Sequence, residues 1–265
     1  MAAGSAPSLP RLVDTHCHLD FEQFDADRDA VLQAALASGV MRVLVPAVDL
    51  ATSRRAIALA ERYPEVRAAV GVHPNDTAGF NNETLAELRD LAQHPRVDAI
   101  GEIGIDLYWK HVTLNEQVEA FRAQLALAQA LGLPVIIHDR EAHAPVLAEL
   151  SAAASPAGVV LHSFSGDQAM AETALAAGYY LGVDGPITYK KNDALRSIFA
   201  AAPADRILIE TDAPYLTPQA RRGTRNEPAY VRYVAERLAE VRGLPLTEVA
   251  AATTANAARL FRWEL

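Results

Sequence analysis

Short runs of β-branched and aliphatic residues recur along the chain, each followed by a longer stretch whose apolar positions return every three or four residues. The apolar runs are Arg11–His16, Met41–Ala47, Arg67–Val72, Val97–Glu102, Pro134–His138, Val159–His162, Tyr179–Val183 and Arg206–Thr211. Their length and composition predict eight buried strands. The stretches between them, Ala26–Ser38, Thr52–Tyr63, Glu83–Gln93, Leu114–Leu131, Ala142–Ala152, Gln168–Ala176 and Ala194–Ala201, predict amphipathic helices. In Leu114–Leu131, for example, Leu114, Val118, Phe121, Leu125 and Ala128 form one apolar stripe. Gly39, Gly132 and Gly178 stand where helices would end, each just before a strand.

Near-continuous apolar strands alternating with helices predict a parallel sheet covered by helices. Eight such units are the count of a (β/α)8 barrel. A doubly wound open sheet is the rival, and its mark is a glycine-rich phosphate loop after the first strand. The first strand here runs into His16-Cys17-His18 instead. The pattern therefore favours an α/β fold, a single (β/α)8 TIM barrel over residues 11–265. Two last helices, Tyr230–Val241 and Thr247–Phe261, are expected to close the outer ring. Residues 1–10 read as a flexible N-terminal extension, and no linker or internal repeat beyond the β/α unit breaks the remainder.

The chain has 265 residues, 51% of them hydrophobic, enough for one barrel or two ordinary domains. A formal net charge of -9 argues against a broadly basic nucleic-acid coat or a membrane-surface protein. It leaves room for a nucleic-acid enzyme, because bound cations and a local basic loop can handle phosphates. Cys17 is the sole cysteine, so no intrachain disulfide can form. With no secretory signal pattern and no apolar run of about 20 residues, a cytoplasmic protein with no membrane association is expected.

The chemistry lies at the ends of the apolar runs. His16 and His18 are two apart and share a face on an extended chain. Glu102, His138, His162 and Asp212 each end or follow a run of their own. Imidazoles and carboxylates are the groups divalent metals bind, and barrel enzymes assemble sites from the ends of separate strands. Glu102, set between Gly101 and Ile103, is costly to bury unless it is paired or bound to metal. A carboxylate there can also bridge two ions. Asp212 can ligate and accept a proton from water. Asp14 is placed to orient an imidazole or approach the metal from behind its ligands, Glu210 to support the site from below or form a buried ion pair, and Asp106 to brace its loop. His73, before Pro74, is either a substrate or phosphate contact or a cap for its loop. Ser163 and Ser165 offer hydroxyls to an oxyanion or phosphate, or serve the turn. Arg221-Arg222-Gly223-Thr224-Arg225 is a basic loop suited to phosphate oxygens, with Lys190 and Lys191 as further cations. Cys17 points away from the histidines and is expected to be packed. His94, His111 and His143 have no strand-end placement and no assigned role.

Seven stretches carry a resemblance to a known family. They are Asp14-Thr15-His16-Cys17-His18-Leu19-Asp20, Gly71-Val72-His73-Pro74, Gly101-Glu102-Ile103-Gly104-Ile105-Asp106, Ile137-His138, Leu161-His162-Ser163-Phe164-Ser165-Gly166, Glu210-Thr211-Asp212-Ala213-Pro214-Tyr215-Leu216 and Arg222-Gly223-Thr224-Arg225-Asn226-Glu227-Pro228. In this order they resemble the TatD family of metal-dependent deoxyribonucleases, within the metal-dependent hydrolase barrels. The resemblance runs from Val13 to the C-terminal helix. It implies two divalent metal ions, one on His16, His18, Glu102 and Asp212 and the other on Glu102, His138 and His162. Magnesium or manganese is implied, and histidine-rich ligation would also suit zinc. The implied activity is cleavage of DNA phosphodiester bonds, including 3′–5′ exonuclease action, on DNA that is single-stranded or has a free 3′ end. On this reading Asp212 and Glu102 are catalytic, and His73, Ser163, Arg222 and Arg225 contact substrate. No obligate protein partner is evident. A hydrolase of a smaller ester or amide on the same scaffold, and a metal-binding protein without catalysis, are the alternatives.

Overall fold

The computed structural model describes residues 9–153 and 156–265. The apolar runs become β1 (Leu12–Asp14), β2 (Val40–Pro46), β3 (Val66–Val70), β4 (Val97–Asp106), β5 (Val135–Arg140), β6 (Val159–Leu161), β7 (Tyr180–Val183) and β8 (Ile207–Ile209). Consecutive strands pair in parallel, so order around the sheet equals order in sequence. The helices are α1 (Arg28–Ala37), α2 (Leu50–Arg62), α3 (Asn82–Leu91), α4 (Leu114–Leu131), α5 (His143–Ala152), α6 (Gln168–Ala176), α7 (Asp193–Ala201), α8 (Val231–Arg242) and α9 (Leu246–Phe261). Side chains set their ends. Asp49 with Thr52 caps α2 and Thr113 with Glu116 caps α4, each satisfying N–H groups the helix leaves unpaired. Gly132 terminates α4 at φ +64, a conformation that favours glycine. Among the described residues no helix is long and apolar enough to cross a membrane.

The first and last strands meet just beyond their ends. The Thr15 N–H donates to the Ile209 carbonyl at 3.2 Å, the Asp212 N–H donates to the His16 carbonyl at 2.9 Å, and Cys17 pairs in parallel with Ala213. This seam closes a (β/α)8 barrel, as the alternation implies. Asp14 belongs to the seam and not to an imidazole. Its carboxylate accepts from the Thr211 N–H at 2.9 Å and the Thr211 hydroxyl at 2.6 Å. Cys17 is fully buried and free, as expected of a packed thiol.

Two apolar layers explain why the strands read as nearly unbroken hydrophobic runs. Leu12, Val43, Val45, Val70, Ile100, Val135 and Ile137 join the cluster between strands and helices. Their neighbours Val13, Leu44, Ala69, Ala99, Ile136, Val160, Tyr180 and Leu208, one from each strand, form a ring inside the barrel. Leu260, Phe261 and Trp263 pack onto that ring. The chain end thus plugs the barrel floor, whereas sequence alone placed the last helix in the outer ring only. The Trp263 indole N–H donates to Asp98 at 2.5 Å, and Asp98 pairs with Arg67. We expect Trp263→Ala to lower stability by about 3–5 kcal/mol, the usual loss for a buried aromatic. Urea unfolding checks this, and metal content should persist because the mouth lies at the opposite end. The expected N-terminal extension falls mainly on residues 1–8, outside the described residues. Leu9 is exposed, and the Pro10 carbonyl packs against Gly39.

Candidate metal centre

Two residues above the inward ring, the alternation of strand side chains brings polar groups into the lumen. Ile136 leads to His138, Val160 to His162 and Leu208 to Glu210. His16 and His18 enter from the segment after β1, His73 from that after β3 and Asp212 from that after β8. Asp212 sits at φ +55, which a short polar side chain tolerates.

Glu102 arrives by a different route. It lies inside β4, not at its end, and simple alternation from Ile100 would point it at the helices. The register between β4 and β5 shifts between Ile100 and Ile103, and both isoleucines pack outward. Within this irregularity the Glu102 N–H donates to the Ala47 carbonyl at 2.8 Å, across the end of β3. Gly71, just past β3, makes room, since a Cβ there would fall 2.9 Å from the Gly101 carbonyl carbon. The crossing carries Glu102 to the middle of the mouth.

There its two oxygens face different partners. Oε2 lies 3.3 Å from His16 Nε2 and 3.6 Å from His18 Nε2. Each of those nitrogens is also 3.6 Å from Asp212 Oδ1. Oε1 lies 2.7 Å from His138 Nδ1, 3.2 Å from His162 Nε2 and 3.7 Å from His73 Nε2. His162 stands between the two sides, because its ring stacks on His16 at 3.8 Å and it also groups with His16 and Asp212.

The electrostatics follow from crowding. Burial pushes Glu102 upward, but His162, His138 and His16 together hold its carboxyl well below the ordinary range. Burial likewise opposes ionisation of Asp212, and His18, His162 and His16 lower it. Burial and the neighbouring His138 push His73 down to about 3. His16 is lowered by burial and by His162. His162 is pulled the other way: Glu102 and Glu210 overcome burial and raise it well above its usual value. Two ionised carboxylates thus stand among closely packed imidazoles, and they raise His162, His18 and His138 against the effect of burial.

A divalent cation fits this set. His16 Nε2 and His18 Nε2 face one another at 3.3 Å, an arrangement a shared cation accounts for. The same three rings, His16, His18 and His162, all turn Nε2 toward the oxygens of Glu102. Among the described residues, three groups can hold a metal: His16, His18 and Glu102; His16, His162 and Asp212; and His73, Glu102 and His138.

The remaining side chains of the sequence reading divide into those that keep their expected place and those that do not. His73 caps its loop, accepting the Asn75 N–H at 3.1 Å on Nδ1, and also enters the cluster through Nε2. Asp106 braces its loop and also lies 3.0 Å from His138 Nε2, with its pKa near 2 because His138 and the Trp109 N–H outweigh burial. Even spacing from Glu102 was the signal for it. Glu210 Oε1 lies 3.3 Å from His162 Nδ1 and accepts the Ser163 N–H at 2.6 Å. Ser163 and Arg225, expected to face phosphate, are committed elsewhere. The Ser163 hydroxyl donates to buried Asp184 at 2.7 Å. Arg225 makes a two-pronged pair with Asp27 at 2.9 and 2.8 Å over the Phe24 ring, which ties its loop to the segment before α1. Arg222 is exposed and packs 5.0 Å above Tyr189.

Comparison with known proteins identifies the family. The model of the TatD related DNase family matches residues 13–262. The chain is 42% identical over 252 residues to the uncharacterized metal-dependent hydrolase YabD of Bacillus subtilis, covering 95% of this chain and 99% of that one. It is 42% identical over 256 residues to the 3′–5′ ssDNA/RNA exonuclease TatD of Cronobacter turicensis, covering 94% and 97%. The crystal structure of YjjV, a TatD homologue from Escherichia coli, superposes with a TM-score of 0.92 at 36% identity, covering 97% of this chain and 100% of that one. A match over nearly the full length, joined to a barrel mouth crowded with imidazoles and carboxylates, makes this chain a member of the TatD family and a metal-dependent hydrolase.

Proposed function

We propose that this protein hydrolyses phosphodiester bonds of single-stranded DNA, removing nucleotides from a free 3′ end. The observation that carries the reading is the division of Glu102, whose Oε2 faces His16 and His18 while its Oε1 faces His138 and His162. One carboxylate serving two sets of donors suits a pair of divalent cations. Magnesium or manganese suits the carboxylates, and zinc suits the imidazoles. His16, His18, Glu102 and Asp212 hold one ion, and Glu102, His138 and His162 the other. When bound, such ions activate water and neutralise charge on the phosphate and the departing oxygen. Asp212, held ionised by three histidines, accepts the proton of the attacking water. His73, neutral beside Glu102, donates to or positions a phosphate oxygen. Exposed Arg222 supplies charge for the flanking backbone. The choice of nucleic acid rests on the relative named as a 3′–5′ ssDNA/RNA exonuclease.

The test uses end-labelled single-stranded DNA. Protein stripped with EDTA should lose cleavage and regain it with magnesium or manganese. A 5′ label should appear in a descending ladder, while a 3′ label should be released at once as mononucleotide. Full-rate cleavage by metal-free protein overturns the proposal, as does intact DNA in the presence of every divalent ion tried.

A further inference from the structure

Exposed aromatic side chains are informative when they gather in one place. Among the described residues the exposed large hydrophobics are Leu9, Tyr108, Trp109, Leu114 and Tyr215. Tyr108 and Trp109 lie in the β4–α4 connection, at the barrel mouth, and Leu114 opens α4 just after it. This side of the mouth is raised, because the β4–β5 ladder continues past Glu102 to pair Asp106 with Arg140.

The aromatics on that raised edge form an ordered shelf. The Arg140 guanidinium lies 3.9 Å from the Tyr108 ring centre and 6.0 Å from that of Trp109. Tyr108 and Trp109 meet edge to face at 5.0 Å, and His111 stacks on Trp109 at 5.5 Å. Asp106 fastens the shelf: its Oδ1 accepts the N–H groups of Tyr108 at 2.9 Å and Trp109 at 3.0 Å. Its Oδ2 lies 3.0 Å from His138 of the metal centre. One buried carboxylate therefore ties the aromatic faces to the reacting end of the barrel. Among the described residues Arg140 has no carboxylate partner, so its charge stays available beside the rings.

We infer that Tyr108 and Trp109 form a nucleobase subsite, on which a base next to the scissile phosphate stacks while Arg140 meets the adjoining backbone. This rests on the nucleic-acid reading above and deepens it. Aromatic faces accept any base, because every base has a π-face, and an arginine alongside adds attraction for phosphate. Stacking at this shelf orders a single strand at the mouth, while a paired base is already stacked within its duplex. The subsite thus favours single strands without reading their sequence.

Fluorescence tests the inference directly. The chain has two tryptophans, exposed Trp109 at the mouth and buried Trp263 at the floor. Metal-loaded protein is titrated with a phosphorothioate-linked deoxythymidine oligomer and with an abasic oligomer of equal length. Quenching of emission by the first and not by the second is expected, and Trp109→Ala should abolish it. In steady-state cleavage of ordinary oligo-dT, Trp109→Ala should raise KM about 5- to 150-fold, the equivalent of one lost base stack. The loss should fall on KM and not on kcat. Trp109→Phe should restore most of the affinity, and Trp109→Ala should lose the preference for base-bearing over abasic strands. Oligo-dT cleaved with no quenching and with the same KM in the alanine variant overturns the subsite while leaving the nuclease reading intact. A protein that cleaves small phosphate esters but no oligonucleotide overturns both. Association of the shelf with a protein partner, with oligonucleotide binding unchanged by Trp109→Ala, likewise rejects the base subsite.

Discussion

Glu102→Ala is expected to remove activity to background and to strip metal from both sides of the cluster. The reason is geometric. Oε2 stands within 3.6 Å of two imidazoles and Oε1 within 3.2 Å of two others, so one substitution takes an anionic donor from both sets. What remains is a nest of buried imidazoles with Asp212 on one side, Asp106 beside His138 and Glu210 behind His162, and none of these reaches both sets of donors as Glu102 does. His138→Ala removes a donor from one side only and should spare more metal. Metal per chain after dialysis, with circular dichroism on the same samples, checks the expectation. A Glu102→Ala protein that keeps two ions per chain would show that Glu102 does not bridge. Glu102→Gln is the companion variant: it preserves volume and one carbonyl oxygen, so folding is held while the charge is removed.

Asp212→Asn should lower kcat by about 10²- to 10⁴-fold, the range for a lost proton acceptor, with little change in DNA affinity. Asparagine is the clean substitution here. It tolerates the left-handed backbone at φ +55 as aspartate does, so the bond from its N–H to the His16 carbonyl survives. Its amide oxygen can still approach a cation, but the group cannot take up a proton. Single-turnover cleavage, DNA affinity and bound metal should be measured on one preparation. Near-normal cleavage with metal retained would remove Asp212 as the base. Loss of metal together with cleavage would assign it to ligation alone.

What the sequence by itself determined is the scaffold and the inventory of the site. Strand runs and helical stripes are local patterns with periods of 2.0 and 3.6, so eight strands in order were legible, and with them a barrel. His138 and His162 were legible for the same reason, since each ends an apolar run and alternation fixes its face. The tertiary structure decided what depends on closure, where partners distant in sequence meet. Asp14 reaches Thr211, 197 positions away, and becomes part of the seam instead of a support for an imidazole. Arg225 finds Asp27, 198 positions away, and anchors a loop instead of facing phosphate. Glu102 was recognisable as a costly buried charge, but its route to the centre was not. A register shift and the bare Cα of Gly71 reverse the alternation that a regular strand would impose. The plug formed by Trp263 is equally non-local, because it exists only once all eight strands present a ring to cover. Periodicity tells which face a side chain takes on its own element; which group it meets there is settled by the geometry of the closed barrel.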